Sequence, residues 1–182
     1  MIPANGSATD DGWLPDVRRI PSPNVDERPT NMAICLVVIH AISLPPGEFG
    51  GSGILELFTN GLNPAAHPFY RNLSTLRVSA HFLIRRDGEL IQFASIKQRA
   101  WHAGVSRWAG RERCNDFSLG IELEGSDDQP FETAQYDVLN DLLSELRRRC
   151  PIEAIVGHAD ISPGRKTDPG PCFDWRRLSP PT

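Results

Sequence analysis

The chain has 182 residues, enough for one ordinary domain with a single substantial core. Hydrophobic residues make up 40% and charged residues 23%, which excludes the disordered and fibrous classes. A net charge of -4 argues against nucleic acid as the main partner, because phosphate binding needs a basic face.

In chain order, Met1 to Gly12 is dominated by Gly, Ser, Asp and Pro and reads as a flexible arm ahead of a single domain spanning 13–182. The segment from Met1 to Ile20 has no continuous apolar stretch of the signal-peptide kind. The longest apolar run, Ala33 to Ile39, falls far short of the roughly 20 residues a membrane span needs. The protein is therefore expected to stay in the cytoplasm, away from membranes. Ile20 to Thr30 is punctuated by proline and extended.

Ala33 to Ile39 (AICLVVI) has the composition of a central strand buried on both faces, ending at His40. Gly47 to Gly53 is glycine-rich but lacks the GK[ST] of a phosphate-binding loop. Ile54, Leu55, Phe58 and Leu62 recur at helical spacing. Asp87-Gly88 between two strand-like runs, Ala80 to Arg86 and Glu89 to Ala94, signals a hairpin. Ser118 to Glu124 (SLGIELE) alternates like a strand. Tyr136, Leu139, Leu142, Leu143 and Leu146 share a helix face, and Arg147 to Arg149 suit the negative C-terminal end of that helix's dipole. Pro151 stops the helix, and Glu153 to Val156 leads as a short strand towards His158. Strands and helices interleave, so the expected class is α/β: one domain, a mixed central β-sheet, helices packed around it.

Cysteines occur at positions 35, 114, 150 and 172 with no CxxC or Cys/His finger spacing. Two disulfides would require an oxidising compartment, and free thiols are the expectation.

The chemistry-bearing residues gather near strand ends. His40 and His158 each follow a buried strand, the edge of an open α/β sheet where sites form. Asp168 follows ten residues after His158 across a Pro/Gly loop able to fold back. Two imidazoles and a carboxylate form a three-ligand set that leaves zinc's fourth position to water. The alternative is that both histidines are satisfied loop or core residues. Glu122, flanked by Ile121 and Leu123, is costly to bury unless paired or functional, and would serve as a general base of raised pKa. It would otherwise lie on the solvated face of an edge strand. Lys166 could oppose a developing oxyanion, or be a solvated loop lysine. Trp101 could be a sugar-contacting wall or core. His81 and His102 are undecided, and His67 reads as surface.

Five segments in order, VVIHAISLPPGEFGG, LRVSAHFLIRRDGELIQF, RAWHAGVS, GRERCNDFSLGIELEG and GHADISPGRKTDPGP, closely resemble the AmpD family. These are cytoplasmic N-acetylmuramoyl-L-alanine amidases acting on 1,6-anhydro muropeptides. The resemblance runs from about Gly12 to Trp175 and implies a zinc (Zn2+) cofactor held by His40, His158 and Asp168. It implies that Glu122 and Lys166 form the catalytic pair. Ala41, Arg77, Ala100, Arg113, Leu123 and Arg165 match positions lining the substrate cleft, where arginines would meet peptide carboxylates. The implied fold is that of phage amidases and peptidoglycan recognition proteins. The implied partner is a small-molecule muropeptide, with neither nucleic acid nor membrane involved, and a monomer is expected. Ala41 departs from the family, which has Asn directly after the first zinc-binding His. The rival readings are an amidase acting on intact peptidoglycan and a non-catalytic peptidoglycan-binding module.

Overall fold

A computed structural model describes residues 11–179. Ten strands form: β1 (Arg18–Arg19), β2 (Val25–Glu27), β3 (Leu36–Ile42), β4 (Phe82–Ile84), β5 (Leu90–Gln92), β6 (Gln98–Ala100), β7 (Arg107–Trp108), β8 (Arg111–Glu112), β9 (Ser118–Glu124) and β10 (Ala154–Gly157). Three α-helices accompany them: α1 (Gly53–Phe58), α2 (Thr133–Arg149) and α3 (His158–Ile161). The central sheet has six strands in the order β1-β5-β4-β9-β3-β10. Within it only β4 and β5 run antiparallel, so the sheet is mixed, as expected.

The β4–β5 hairpin turns at Asp87-Gly88, where Gly88 adopts φ +90° and the Asp87 carboxylate accepts the Glu89 N–H. Helix α2 starts in a capping box of Glu132 and Gln135 and ends in Arg147, Arg148 and Arg149, opposite its negative dipole end. Its buried face, Tyr136, Leu139, Leu142, Leu143 and Leu146, packs with Val37, Ile39, Leu119, Ile121 and Leu123 of the sheet. The other face of the sheet carries two apolar clusters. One holds Leu57 and Phe58 of α1 against Leu83 and Ile91; the other holds Val38, Phe117 and Ile161. Between them runs a polar strip.

Several element boundaries differ from the sequence reading. Strand β3 begins later, at Leu36, and runs through His40 to Ile42, because β9 pairs with all seven of its residues. His40 is thus inside the strand. Helix α1 stops at Phe58 because Asn60 turns the backbone to φ 61°; Leu62 lies beyond the helix yet stays buried in the same cluster. The expected N-terminal arm falls outside the described residues up to position 10. Its last two residues are bound: the carbonyls of Asp11 and Gly12 accept from the Ser95 hydroxyl and the Ile96 N–H. Cys35, Cys114 and Cys172 are free thiols. Among the described residues, no helix is long and apolar enough to cross a membrane.

Leu139 is fully buried between α2 and the sheet. Leu139→Ala is expected to cost about 2–5 kcal/mol of stability in denaturant melts. A loss below about 1 kcal/mol would mean that this interface is not a close-packed core.

Candidate metal centre

The site is built by strand register. Parallel pairing of β3 with β9 sets His40 directly beside Glu122, and β4 places Leu83 on that residue's other side. Glu122 is therefore on a central strand and 8% exposed, which excludes a solvated edge. Strand β10 ends at Gly157, in register with Ile39, so His158 emerges level with His40 at the start of α3. The loop after α3 folds back through the N–H of Ala159, which donates to the Asp168 carbonyl at 2.9 Å.

Three atoms converge. His40 Nδ1 lies 3.0 Å from His158 Nδ1, and each lies 3.1 Å from Asp168 Oδ2. Four-coordinate zinc with bonds of about 2.0–2.1 Å separates neighbouring ligand atoms by about 3.3 Å, so this triangle matches a tetrahedral face. Burial lowers the His40 pKa to about 4, so the ring is neutral at pH 7. His158 Nε2 lies 3.1 Å from the Ala103 carbonyl, which can only accept, so that nitrogen holds the proton and Nδ1 carries a lone pair. Lone pairs facing a carboxylate at this spacing repel one another unless a cation joins them. The donor set fits a divalent metal.

Glu122 borders the same cradle. Its Oε2 is buried with no hydrogen-bond partner among the described residues. Burial, and secondarily the Asp168 charge, push its pKa well above the usual carboxylate range, while Lys166 opposes the shift. Lys166 stands exposed on the rim. Together with His40, Ala41, Leu76 and Asp168 they line a hollow of about 200 Å³. A larger hollow of about 510 Å³ is lined by Arg107, Arg113, Arg165 and Glu112. Arg165 adjoins the metal cradle, because its guanidinium donates to the same Ala103 carbonyl that His158 uses. The smaller hollow is the one that holds the convergent titratable groups.

The other residues expected to meet substrate divide. Arg113 and Arg165 line the larger hollow. Arg77 is exposed, with its guanidinium folded onto the carbonyls of Ser74 and Leu76. The side chains of Ala100 and Leu123 are both fully buried. Ala100 sits in β6 opposite Val25, and Leu123, one residue from Glu122, points to the opposite face into the α2 core. Ala41 borders the small hollow but also packs against that same core. Trp101 is half-buried and hydrogen-bonds Asp26. His67 is half-buried and accepts the Phe69 N–H at 3.2 Å. His102, left undecided by its sequence setting, lies directly behind His40, with His40 Nε2 3.0 Å from its Nδ1. The signal for it was Gly120, since a glycine inside a strand marks a close approach. A Cβ there would stand 2.4 Å from the His102 ring.

A mixed sheet carrying two histidines, a carboxylate and a buried glutamate defines a candidate metallohydrolase. A family model described as N-acetylmuramoyl-L-alanine amidase matches residues 30–171, and the chain belongs to that family. It is 55% identical over 171 residues to the 1,6-anhydro-N-acetylmuramyl-L-alanine amidase AmpD of Citrobacter freundii, covering 93% of this chain and 91% of the relative. A crystal structure of a Se-Met AmpD derivative matches with a TM-score of 0.91 at 55% identity, over 93% of this chain and 96% of that one. The Drosophila peptidoglycan recognition protein SA shares the fold, with a TM-score of 0.58 at 21% identity over 86% and 87% of the two chains. The fold is the one the resemblance implied.

One divalent metal ion per chain is expected at His40, His158 and Asp168. His158→Ala should leave the purified protein with well under one equivalent by elemental analysis; a full equivalent in that variant would overturn the ligand set.

Proposed function

We propose that the chain hydrolyses the amide joining the lactyl group of 1,6-anhydro-N-acetylmuramic acid to L-alanine, as a cytoplasmic zinc enzyme of cell-wall recycling. The observation that carries this is the buried, unpartnered Glu122 Oε2 beside three converging metal-type donors. The name of the Citrobacter freundii relative supplies the substrate class.

Zinc bound by His40, His158 and Asp168 would supply Lewis acidity and lower the pKa of water towards about 7. Glu122 takes the proton of the attacking water at its carboxylate and returns it to the leaving amine of L-alanine. Its raised pKa suits both halves of that task, because a carboxylate less acidic than usual is a better base towards water and gives the proton up again to an amine. Lys166 places an ammonium at the rim of the hollow, where negative charge develops on the scissile carbonyl oxygen. Arg113 and Arg165, lining the adjoining larger hollow, are suited to fork onto carboxylates of the stem peptide. Water adds across the amide, giving a lactyl carboxylate and a free peptide amine.

Glu122→Gln tests the reading. It keeps shape and volume but cannot accept the proton, so kcat should fall roughly 10²–10⁴-fold with metal content unchanged. In the wild type the basic form of Glu122 is lost as pH falls through a value raised above about 4.3, so kcat/KM should decline on the acid side from above that range. A loss under about tenfold would move the role of base to another group. A digest of anhydro-muropeptide beside intact peptidoglycan, read by mass, tests the substrate: preferential cleavage of intact peptidoglycan would refute the recycling role.

A further inference from the structure

The Nδ1 atoms of both ligand histidines must be free of protons to bind metal, yet an isolated imidazole has two tautomers. In this fold the choice is dictated from behind. His40 Nε2 lies 3.0 Å from His102 Nδ1, His102 Nε2 lies 3.2 Å from the Ser118 hydroxyl, and that hydroxyl lies 2.6 Å from the Cys114 carbonyl. The carbonyl has no proton to give, so the row can run in one direction only. Ser118 donates to Cys114, and its oxygen then accepts from His102 Nε2–H. That leaves a lone pair on His102 Nδ1, which accepts from His40 Nε2–H. His40 Nδ1 is thereby left bare towards Asp168 and His158.

His102 is held in place as a built part. It is buried, and among the described residues no carboxylate hydrogen-bonds its ring. Its peptide N–H and that of Ala103 both donate to Asn115 Oδ1, at 3.2 and 2.8 Å. Gly120 leaves room for its ring. The next carbonyl along, Ala103, takes the Nε2–H of His158 at 3.1 Å.

We propose that the two-residue segment His102–Ala103 is the orienting element of the metal centre, fixing both ligand histidines as Nε2–H tautomers that present Nδ1 inward. His102 does this through its ring and Ala103 through its backbone. His102 is a positioning residue, acting through His40. The inference rests on the metal reading above, but its first test does not, because the tautomer is read without metal.

Long-range ¹H–¹⁵N NMR of the metal-free full chain should show His40 and His158 as Nε2–H tautomers. In His102→Leu the acceptor behind His40 is gone, and His40 should move towards Nδ1–H, facing Asp168. Zinc affinity, measured by chelator competition, should weaken about 10- to 100-fold in that variant, the usual size of an outer-shell loss. His102→Asn, whose amide oxygen can accept from His40 Nε2–H, should recover most of it. Zinc binding by His102→Leu within twofold of wild type, with His40 still Nε2–H, would overturn the proposal. Should His102→Leu not fold, Ser118→Ala decides. It keeps the ring but removes the group that sets the direction of the row, so His40 should become a mixture of tautomers; an unchanged His40 there overturns the proposal. Failure of the wild type itself to bind zinc would sink the metal reading and leave the tautomer result to be judged separately.

Discussion

Polar groups inside a sheet covered on both faces cost free energy unless each finds a partner, and the structure is organised around meeting that demand along one strip. The strip lies on the face of β3 and β9 opposite α2, where His40, Ser118, Glu122 and Glu124 alternate with core residues. His81 accepts the Gly120 N–H at Nδ1 and lies 3.1 Å from the Gln98 carbonyl at Nε2. Glu124 pairs with Arg85 at 2.9 Å and accepts the Gly50 N–H at 2.7 Å. Among the described residues, Glu122 Oε2 stays without a hydrogen-bond partner. Burial of a carboxylate without a partner raises its pKa, so the least satisfied group on the strip has the shifted acidity that the proposed proton transfer would use.

Apolar packing on either side makes this strip affordable. The α2 face of the sheet is apolar throughout its cluster, and the two clusters on the other face close over the ends of the strip. Arg28 anchors its lower end. Its guanidinium, with a pKa lowered by burial to about 10, is still charged at pH 7 and donates to the carbonyls of Asn115, Asp116 and Ser118. Those contacts fix the backbone just where Asn115 grips the His102–Ala103 segment and where Ser118 begins β9. A buried charge outside the three converging donors thus helps to hold the segment behind them through the backbone.

Much of this was legible in the sequence. The strand SLGIELE, the α2 face and the hairpin at Asp87-Gly88 follow from local periodicity and turn chemistry, and the structure has them. What local pattern does not encode is pairing. The end of β3 was misread because a histidine looks like a strand stop, while the partner β9 extends the ladder two residues past it. Glu122 looked equally suited to an edge, since only the sheet order shows it to be central. The side chains of Ala100 and Leu123 turn into the interior, a direction that a resemblance in sequence does not carry. Apart from the hint at Gly120, the place of His102 was hard to read for a related reason: its meaning lies in a hydrogen-bonded row whose members come from three separate segments.

The same argument from direction bears on Ala41, where the chain departs from the family pattern of its resemblance. Side chains alternate along a strand, so residue 41 faces away from His40 and towards α2. The register sets it opposite Leu123, and it packs against the core that Leu123 helps to form. An alanine there adds no polar group to that core, whereas an amide would need a hydrogen-bond partner at the boundary between core and cleft. Position 41 still borders the small hollow, because β3 ends one residue later and the alternation opens onto solvent. The departure therefore touches the rim of the cleft and the edge of a core. The three converging donor atoms and the row behind them are built from the opposite face of the strand, and the identity of residue 41 leaves them in place.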